Sequence, residues 1–494
     1  MLKIDTRSRH ALYSADATRR QELSAQSTLP AHALMDRAGL AVAQLALAIA
    51  PHAQRIWIAC GPGNNGGDGM EAALHLQSWG KQPILTWLGD AKTAPQDAAT
   101  SYQRAVKAGV IFAEDPPPDY DLCIDALLGL GSANRPPQGR LADWIERMNA
   151  DPSPVLAVDL PTGLQADTGA KTQPCVQAEH TLSLLTLKPG LFTAQGRDAA
   201  GTVWLADLDI PQNTQGDLMR AAPTAWLAGA PAETARRHAS HKGSYGDVAV
   251  IGGAPGMTGA ALLAASAALH AGAGRVFVGL LDGGSLSVNV SQPELMFRPA
   301  NELDFRSMTV VCGCGGGDAV RNQLSRILSA SATAVIDADA INLIANDTQL
   351  QTLLIARTKR LAATVLTPHP LEAARLLGST ASQVQADRLA AAQLLAQRFA
   401  STVVLKGSGT VIAAPGKTPV INPTGNARLA TAGTGDVLAG MIGARLANGM
   451  TAFEGACHAV YQHGWVADCW PLASTLVAGT LISRVDLTAV QPNR

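Results

Sequence analysis

The chain has 494 residues, which is too long for a single hydrophobic core and most simply indicates two domains. Its 38 Lys and Arg residues nearly balance 39 Asp and Glu residues, so no global basic field attracts nucleic acid or an anionic membrane. Aromatic residues make up only 4% while alanine and glycine are abundant, a composition typical of α/β domains with closely packed helices.

The seven cysteines are dispersed and form no C-x-x-C pair. An odd, scattered set favours reduced, buried thiols in a cytosolic protein. The first residues lack the apolar run of a signal peptide, and the apolar stretch at 40–50 is too short to span a bilayer. We therefore expect a cytoplasmic protein without a membrane partner.

In the first half of the chain, short β-rich runs alternate with helical segments, and the residues before 55 are predicted to be helical. The predicted strands are 56–60, 83–88, 122–124, 155–158 and 182–187, and the predicted helices lie near 70–79, 94–108 and 141–148. Strands that alternate with helices form a parallel sheet covered on both faces. We therefore expect an α/β fold, with a Rossmann-like three-layer sandwich in this half.

The alternation lapses between about 210 and 240, where several prolines punctuate the chain. We predict a first domain at 1–212, a linker at 213–238 and a second α/β domain at 239–494. Predicted strands of the second domain are 248–251, 276–280, 309–312, 334–336, 364–366 and 402–405. A helix through His270 and long helices after Gly435 and Ala452 complete it. The two halves carry different loop motifs, so they are not copies of one another.

A loop rich in glycine and amides, G-P-G-N-N-G-G-D-G at 61–69, follows the first predicted strand. Backbone N–H groups at a helix start attract phosphate. The glycine spacing G-x-G-x-x-G is alone a weak dinucleotide signal, and a glycine turn with left-handed asparagines is the alternative. The density of polar side chains, from Asn64, Asn65 and Asp68, favours a binding site.

Acids follow two other strands of the predicted sheet, Asp125 after 122–124 and Asp159 after 155–158. Ligands of open α/β sheets bind beyond the carboxyl ends of the strands. Asn65, Asp125 and Thr162 would then converge as oxygen ligands, which suit an alkali or alkaline-earth cation better than zinc. For either aspartate taken alone, an acid that caps the next loop is the alternative.

Three motifs of the first half, G-x-G-N-N-G-G-D-G, D-A-L-L-G-x-G and V-D-x-P-T-G, resemble the epimerase domain of the NAD(P)H-hydrate repair enzymes. The resemblance covers about the first two hundred residues. It implies potassium at Asn65, Asp125 and Thr162, and Asp159 as the acid/base beside the nicotinamide ring. It implies a site for the hydrated dinucleotide at Asn64, Asn65, Gly66, Gly67, Asp68, Gly129, Leu130, Gly131, Ser132, Ala133, Asn134, Arg135 and Asp159. The S-A-N-R run at 132–135 departs from the family pattern.

The second half carries G-T-G-D at 433–436, which opens a predicted helix. The positive end of a helix stabilises a transferring phosphoryl group, and Asp436 can there accept the proton of an attacking hydroxyl. The run K-G-S-G-T at 406–410 places a cation, a hydroxyl and flexible backbone together for phosphate. Each of these residues also has an alternative interpretation. Asp436 could simply cap its helix, His369 could have a structural role, and Lys406 could be a surface lysine. No P-loop motif is present.

The motifs H-K-G-x-x-G, T-P-H-P, K-G-x-x-T and G-T-G-D resemble the dehydratase domain of the same repair enzymes, within the ribokinase-like superfamily. The resemblance runs from about His241 to the C-terminus. It implies ADP as co-substrate, Mg²⁺, and a nucleotide site at Lys406, Gly407, Ser408, Gly409, Thr410 and Gly435. It implies a hydrate pocket at Gly259, Gly317, His369 and Asp436. Leu371, Cys314 and Gly316 depart from the family pattern and should alter the pocket contours.

We therefore predict a bifunctional enzyme that interconverts the R and S forms of hydrated NAD(P)H and dehydrates the S form with ADP, giving AMP and phosphate. Phosphorylation of the ring hydroxyl makes phosphate the leaving group, which the lone pair of the ring nitrogen expels. The alternatives are a ribokinase-like small-molecule kinase that releases a phosphoester, and a first half that senses a dinucleotide without catalysis. We expect NADHX, NADPHX and ADP as small-molecule partners, and a homo-oligomer.

Overall fold

The computed structural model describes residues 1–130, 136–210, 222–232 and 238–485. Its internal contacts divide the chain into two compact units. The first unit combines Met1–Asp5 with His10–Ala225, and the second combines Thr6–Arg9 with the chain from Trp226 onward. The division falls within the predicted linker, of which 213–221 and 233–237 lie outside the described residues. Within the described ranges, no helix has the length and apolarity needed to cross a membrane.

The first unit contains a parallel sheet flanked by helices. The strands of this unit are β1 (Leu2–Lys3), β2 (His10–Leu12), β3 (Arg55–Cys60), β4 (Gln82–Trp87), β5 (Ile111–Ala113), β6 (Leu122–Ala126), β7 (Val155–Val158), β8 (His180–Leu184) and β9 (Thr202–Ala206), and all except β2 belong to the sheet. Its helices are α1 (Ala15–Gln26), α2 (Ala33–Ile49), α3 (Asn64–Ser78), α4 (Gln96–Lys107), α5 (Arg140–Ala150) and α6 (Gly196–Ala199). The sheet order is β1-β9-β8-β7-β6-β3-β4-β5, parallel except for the β1 edge.

Both faces of this sheet are covered, as the continuous apolar runs of β3, β6 and β7 predict. On one face, α2 and α3 pack onto the strands around Ile58 and Ile124. On the other face, Trp144 of α5 packs against Trp57 of β3. The expected three-layer sandwich is confirmed, and it exposes the carboxyl ends of β3, β6 and β7 along one edge.

The second unit is a larger α/β structure. Its strands are β10 (Ala225–Leu227), β11 (Asp247–Gly252), β12 (Arg275–Leu280), β13 (Met296–Phe297), β14 (Thr309–Cys312), β15 (Thr333–Ile336), β16 (Ala363–Leu366), β17 (Thr402–Leu405), β18 (Val411–Ala413) and β19 (Val420–Ile421). Its helices are α7 (Thr258–His270), α8 (Arg321–Ala330), α9 (Ala338–Ala345), α10 (Thr348–Ala356), α11 (Pro370–Leu377), α12 (Ala381–Ala386), α13 (Arg388–Phe399), α14 (Thr434–Ala447), α15 (Ala452–Asp468) and α16 (Ala478–Ile482). Its strands follow the order β13-β12-β11-β14-β15-β16-β17-β18-β19-β10, parallel from β13 to β17.

The packing of α14 against α7 fixes the start of α14. A Cβ added to Gly440 of α14 would lie 2.0 Å from the carbonyl oxygen of Ala264 in α7, so only glycine permits this approach. Buried alanines of α7 allow the two helices to come close, and α15 packs on α14 as well. The first turn of α14, which carries Asp436, is therefore held on a rigid element.

The predicted strands of both units are found with boundaries within a few residues. The main difference concerns α3, which begins at Asn64 and not near Met70. Asn64 and Asn65 are helical and not left-handed, so most of the G-P-G-N-N-G-G-D-G motif forms the first two turns of a helix. Its glycines let this start pack closely on other elements: a Cβ on Gly67 would lie 2.9 Å from the thioether of Met35 on α2, and one on Gly69 would lie 2.7 Å from Cβ of Ala126 on β6.

Two candidate active sites

A cavity of about 440 Å³ lies at the carboxyl edge of the first sheet, a volume within the usual range of small-molecule sites. Six of the predicted binding residues line it: Asn64, Asn65, Asp68, Gly129, Leu130 and Asp159. Gly66 and Gly67 do not, because both pack inside the protein; a Cβ on Gly67 would lie 2.9 Å from the thioether of Met35. The predicted residues Gly131, Ser132, Ala133, Asn134 and Arg135 lie outside the described residues.

Asp159 stands directly after β7 in a left-handed backbone conformation, with φ of +67°, which is uncommon for a residue other than glycine. Its Oδ1 accepts hydrogen bonds from Nζ of Lys188 and from the N–H of Leu184, the latter at 3.1 Å. Lys188 is fully buried. Sequence reasoning missed Lys188, although a lysine inside the apolar run after β8 was a signal that could have indicated it.

Other carboxyl groups share this cavity with Asp159. Burial raises the pKa of Asp68 well above its ordinary value, and the charge of Asp159 raises it further. Burial likewise raises the pKa of Glu22 on α1, again with a contribution from Asp159. The cavity therefore favours neutral carboxyl groups beside the ion pair of Asp159 and Lys188.

The three predicted potassium ligands lie at the same edge. Oδ1 of Asp125 accepts a hydrogen bond from Oγ1 of Thr162 at 2.7 Å, and Oδ2 accepts one from the N–H of Thr162 at 2.8 Å. Burial raises the pKa of Asp125 to about 6. Oδ1 of Asn65 would lie 3.3 Å from a Cβ on Gly129, and the buried Nδ2 of Asn65 has no partner among the described residues.

This arrangement fits a hard cation held by oxygen ligands. The described part of the chain supplies Asp125 with hydrogen bonds but with no basic side chain in an ion pair. A buried carboxylate without a cation is costly, and oxygen ligands suit hard cations. The structure thus brings Asp125 and Thr162 into contact, and it places Asn65 beside Gly129 in the loop that follows Asp125.

At the carboxyl edge of the second sheet, three side chains converge. Cys314 follows β14, Asp337 follows β15 and Asp436 lies in the first turn of α14. One potential ligand atom of each lies within 4.8 Å of the others. Burial raises the pKa of Asp436 to about 6, and the nearby charge of Asp337 contributes. Sequence reasoning missed Asp337, although it follows its strand just as Asp159 follows β7.

Lys406 supplies the positive charge of this second site. Its Nζ lies 2.9 Å from Oδ1 of Asp337 and 4.0 Å from Oε2 of Glu372. Burial opposes the charge of Lys406, but the two carboxylates outweigh it and raise the pKa. A Cβ on Gly435 would lie 3.4 Å from Nζ, so the ammonium group sits at the start of α14. The alternative of a surface lysine is therefore wrong.

The segment after Lys406 forms a tight turn. Gly407 and Gly409 have φ of +131° and +60°, and Oγ1 of Thr410 donates to the carbonyl oxygen of Gly407 at 3.0 Å. Ser408 is exposed. Beneath the turn, the buried guanidinium of Arg388 donates to the carbonyl oxygen of Lys406 at 3.1 Å. The predicted nucleotide loop is thus anchored from inside the protein.

The predicted hydrate-pocket residues are spread around this edge. His369 caps α11, where its Nδ1 accepts hydrogen bonds from the N–H groups of Leu371 and Glu372. This cap gives His369 a structural role whatever else it does. The N–H of Gly317 donates to Oδ2 of Asp339 at 2.8 Å. Gly259, in the first turn of α7, faces open space, since a Cβ there would meet nothing within 4 Å.

Two family models match the chain. The model described as YjeF-related protein N-terminus matches residues 31–190, and the model described as NAD(P)H-hydrate dehydratase matches residues 248–486. One match falls in each structural unit.

Curated relatives match nearly the whole length. The bifunctional NAD(P)H-hydrate repair enzyme Nnr of Escherichia coli (strain K12) is 36% identical over 480 residues, covering 93% of this chain and 89% of that protein. The enzyme of the same name from Moorella thermoacetica is 37% identical over 488 residues, covering 90% and 89%. The ADP-dependent (S)-NAD(P)H-hydrate dehydratase of Neisseria meningitidis serogroup B is 43% identical over 258 residues, covering 51% of this chain and 86% of that protein.

A solved structure matches about half of the chain. The ADP/ATP-dependent NAD(P)H-hydrate dehydratase from Bacillus subtilis, co-crystallised with ATP and Mg²⁺, is 31% identical and covers 51% of this chain and 91% of its own, with a TM-score of 0.43. The two family matches and the full-length relatives agree with the motifs of both halves. The chain belongs to the family of bifunctional NAD(P)H-hydrate repair enzymes.

Proposed function

We propose that the cavity of the first unit epimerises hydrated NAD(P)H, and that the cluster around Asp436 in the second unit dehydrates the S epimer with ADP. The chain is a bifunctional NAD(P)H-hydrate repair enzyme, an isomerase and a lyase in one polypeptide. One observation carries the assignment of the dehydratase site: Asp436 lies in the first turn of α14, in one cluster with Cys314 and Asp337, and Lys406 pairs with Asp337.

In the first unit, Asp159 is the proposed acid/base. It lines the cavity together with the polar start of α3 and the loop at 127–130, which would hold the dinucleotide. The N–H groups at the start of α3 favour phosphate oxygens. Asn65, Asp125 and Thr162 would hold potassium, which would neutralise the buried carboxylate and order the loops around it.

In the second unit, Asp436 is the proposed base that takes the proton of the ring hydroxyl. The hydroxyl oxygen forms a bond to the terminal phosphorus of ADP while the bond from that phosphorus to the bridging oxygen breaks, giving AMP. The carbon–oxygen bond then breaks with phosphate as the leaving group, and the adjacent ring carbon loses a proton to restore NAD(P)H. Lys406 and the positive start of α14 stabilise the charge on the transferring phosphoryl group.

The nucleotide would lie along the turn at 406–410, with its terminal phosphate at Gly435. Mg²⁺ fits Asp339, a hard carboxylate whose Oδ1 accepts no hydrogen bond within the described parts of the chain. When bound, the ion would neutralise phosphate oxygens of ADP. Gly259, Gly317 and His369 would shape the hydrate pocket.

We also place the enzyme in the cytoplasm as a homo-oligomer. The cytoplasmic assignment is supported by the seven cysteines, all of which are free, five of them buried. The oligomeric state stays a prediction.

The direct test is recovery of the absorbance of reduced nicotinamide from a preparation of both hydrate epimers, with and without ADP. We expect full recovery only with ADP, together with free phosphate and AMP. A phosphorylated product that accumulates without loss of phosphate would instead support the alternative of a small-molecule kinase.

A further inference from the structure

Lys188 is fully buried, with a side-chain exposure of 0%, although lysine is among the residues that proteins bury least. An ammonium group has three N–H donors, and all of them have partners here. Besides Asp159, Nζ contacts Oγ of Ser183 at 3.3 Å and the carbonyl oxygen of Leu184 at 2.9 Å. The position of the ammonium group is therefore fixed from three sides.

Stability alone does not explain this ion pair. A buried ion pair can often be replaced by apolar residues of similar volume without loss of stability, because desolvation offsets the attraction. Asp159 adds a second cost, since a non-glycine residue in the left-handed region is strained. The strained backbone and the buried ion pair both lie at the cavity wall. Energetically unfavourable features of this kind are concentrated at functional sites.

The geometry of Asp159 separates the roles of its two oxygens. Oδ1 accepts the hydrogen bonds from Lys188 and from the N–H of Leu184. Among the described residues, none donates a hydrogen bond to Oδ2. The side chain is 10% exposed and lines the cavity, so one oxygen is held while the other remains available there.

We propose that Lys188 is a positioning residue for epimerisation: it holds Oδ1 of Asp159 and leaves Oδ2 as the atom that exchanges a proton with the hydrate. The inference rests on the proposed role of Asp159. Oδ2 accepts the proton of the ring hydroxyl as that oxygen forms a carbonyl group and the bond between the carbon and the ring nitrogen breaks, with the electron pair staying on the nitrogen. The nitrogen then re-forms the bond on the other face of the carbonyl carbon, and Oδ2 returns the proton to the oxygen. The site thus ends each turnover in its starting protonation state, and no oxidant or reductant is needed.

The ammonium group lies in a cavity with several acidic side chains. Other charged groups near the pair lie on three helices, namely Arg19 and Glu22 on α1, Asp68 and Glu71 on α3 and Asp97 on α4. Four of these five are acidic, and burial raises the pKa of Asp68 and Glu22. Lys188 and Arg19 therefore supply the positive charge among mostly acidic neighbours.

The test compares Lys188→Met with the parent enzyme on the separated R and S hydrates across a range of pH. For the R hydrate, we expect kcat to fall by about 10²-fold or more, within the range of acid–base catalysis. The acid limb of its pH profile should move to higher pH, because loss of the ammonium group disfavours the charged carboxylate. KM should change little, and turnover of the S hydrate should persist.

A matched control is Lys81→Met, which removes another lysine that holds backbone carbonyl oxygens of the same unit, those of Pro51 and Ala53. It should leave R turnover at the parent value. Lys188→Arg, which keeps the charge, should retain the parent acid limb even if kcat is reduced. If near-ultraviolet circular dichroism shows that Lys188→Met unfolds the first unit, Lys188→Gln, which keeps a hydrogen-bond donor but not the charge, takes its place with the same expected shift of the acid limb.

The inference is overturned if Lys188→Met turns over the R hydrate with the parent kcat and pH profile. It is also overturned if the Met and Arg variants both lose kcat but keep the parent acid limb, which would indicate a structural role only. Asp159→Asn distinguishes a failure of the proposed role of Asp159 from a failure of the inference about Lys188. If that variant turns over the R hydrate normally, the proposed epimerase role of Asp159 fails; if only Lys188→Met is parent-like, the inference alone fails.

Discussion

The ammonium nitrogen of Lys406 lies 2.9 Å from Oδ1 of Asp337, and Oγ1 of Thr367 donates a hydrogen bond to the same oxygen at 2.6 Å. The three residues follow β17, β15 and β16, so the contact ties together the ends of three neighbouring strands. Because Asp337 is already paired, Asp436 is the carboxylate of the cluster that remains available to a substrate hydroxyl.

Asp436→Asn should lower the ADP-dependent turnover of the S hydrate by about 10²–10⁴-fold, because the amide cannot accept the hydroxyl proton. The measurement is the rate of NAD(P)H formation from the S hydrate under saturating ADP. Interconversion of R and S hydrates, followed by chiral chromatography, should be unaffected. Equal loss of both activities would argue against separate sites.

The pH dependence of dehydration should reflect Asp436. Its pKa is raised to about 6, and the base must be deprotonated, so kcat/KM for the S hydrate should fall as pH drops below about 6. The contact with the Cys314 thiol lowers this pKa, so Cys314→Ala should move the acid limb to higher pH. A limb near the ordinary aspartate value in both proteins would contradict the assignment.

Lys406 and Asp337 should act as one unit. Lys406→Met removes the charge that faces the phosphoryl group, and Asp337→Asn releases that lysine from its position. Because the partners are in contact, the double variant should lose much less dehydratase activity than the product of the two single losses. Strictly multiplicative losses in kcat/KM would show that the pair is not coupled in catalysis.

Potassium should stabilise the first unit. The pKa of Asp125 is raised to about 6, above its unfolded value, so without a cation the unit loses stability as pH rises from about 4 through 6. Two pKa units correspond to about 3 kcal/mol. At pH 7, potassium chloride should therefore raise Tm more than tetramethylammonium chloride at the same concentration.

Asp125→Asn is the control for that measurement. Without the carboxylate, both the loss of stability with rising pH and the specific effect of potassium on Tm should disappear. A potassium effect that persists in this variant would place the cation elsewhere.

Gly66 and Gly63 offer a matched pair at the start of α3. A Cβ on Gly66 would lie 2.1 Å from the carbonyl oxygen of Gly61, whereas one on Gly63 would meet nothing within 4 Å. Gly66→Ala should destabilise the first unit by about 1–3 kcal/mol, in the range of overpacking, and reduce R turnover. Gly63→Ala should cost less, about 0.5–1 kcal/mol, because alanine is a poorer N-cap than glycine. Urea unfolding of both variants distinguishes these effects.

The strands were predictable because parallel strands buried on both faces are continuous apolar runs, as in 155–158 and 402–405. Asp125 and Asp159 were predictable because each directly follows such an apolar run. Asp337 also follows one, but it was missed because no glycine motif marks it. The start of α3 was not predictable from local signals, because its glycines pack on distant residues, Gly67 on Met35 and Gly69 on Ala126. The pairing of Lys188 with Asp159 spans 29 residues and depends on the fold.

The most direct test of two separate aspartate-based sites is complementation on the R hydrate with ADP. The Asp159→Asn chain and the Asp436→Asn chain should each fail to form NAD(P)H from it, since one cannot epimerise and the other cannot dehydrate. An equal mixture of the two chains should restore NAD(P)H formation, because the S hydrate released by one is a substrate of the other. Normal R turnover by either chain alone, or no turnover by the mixture, would contradict the account.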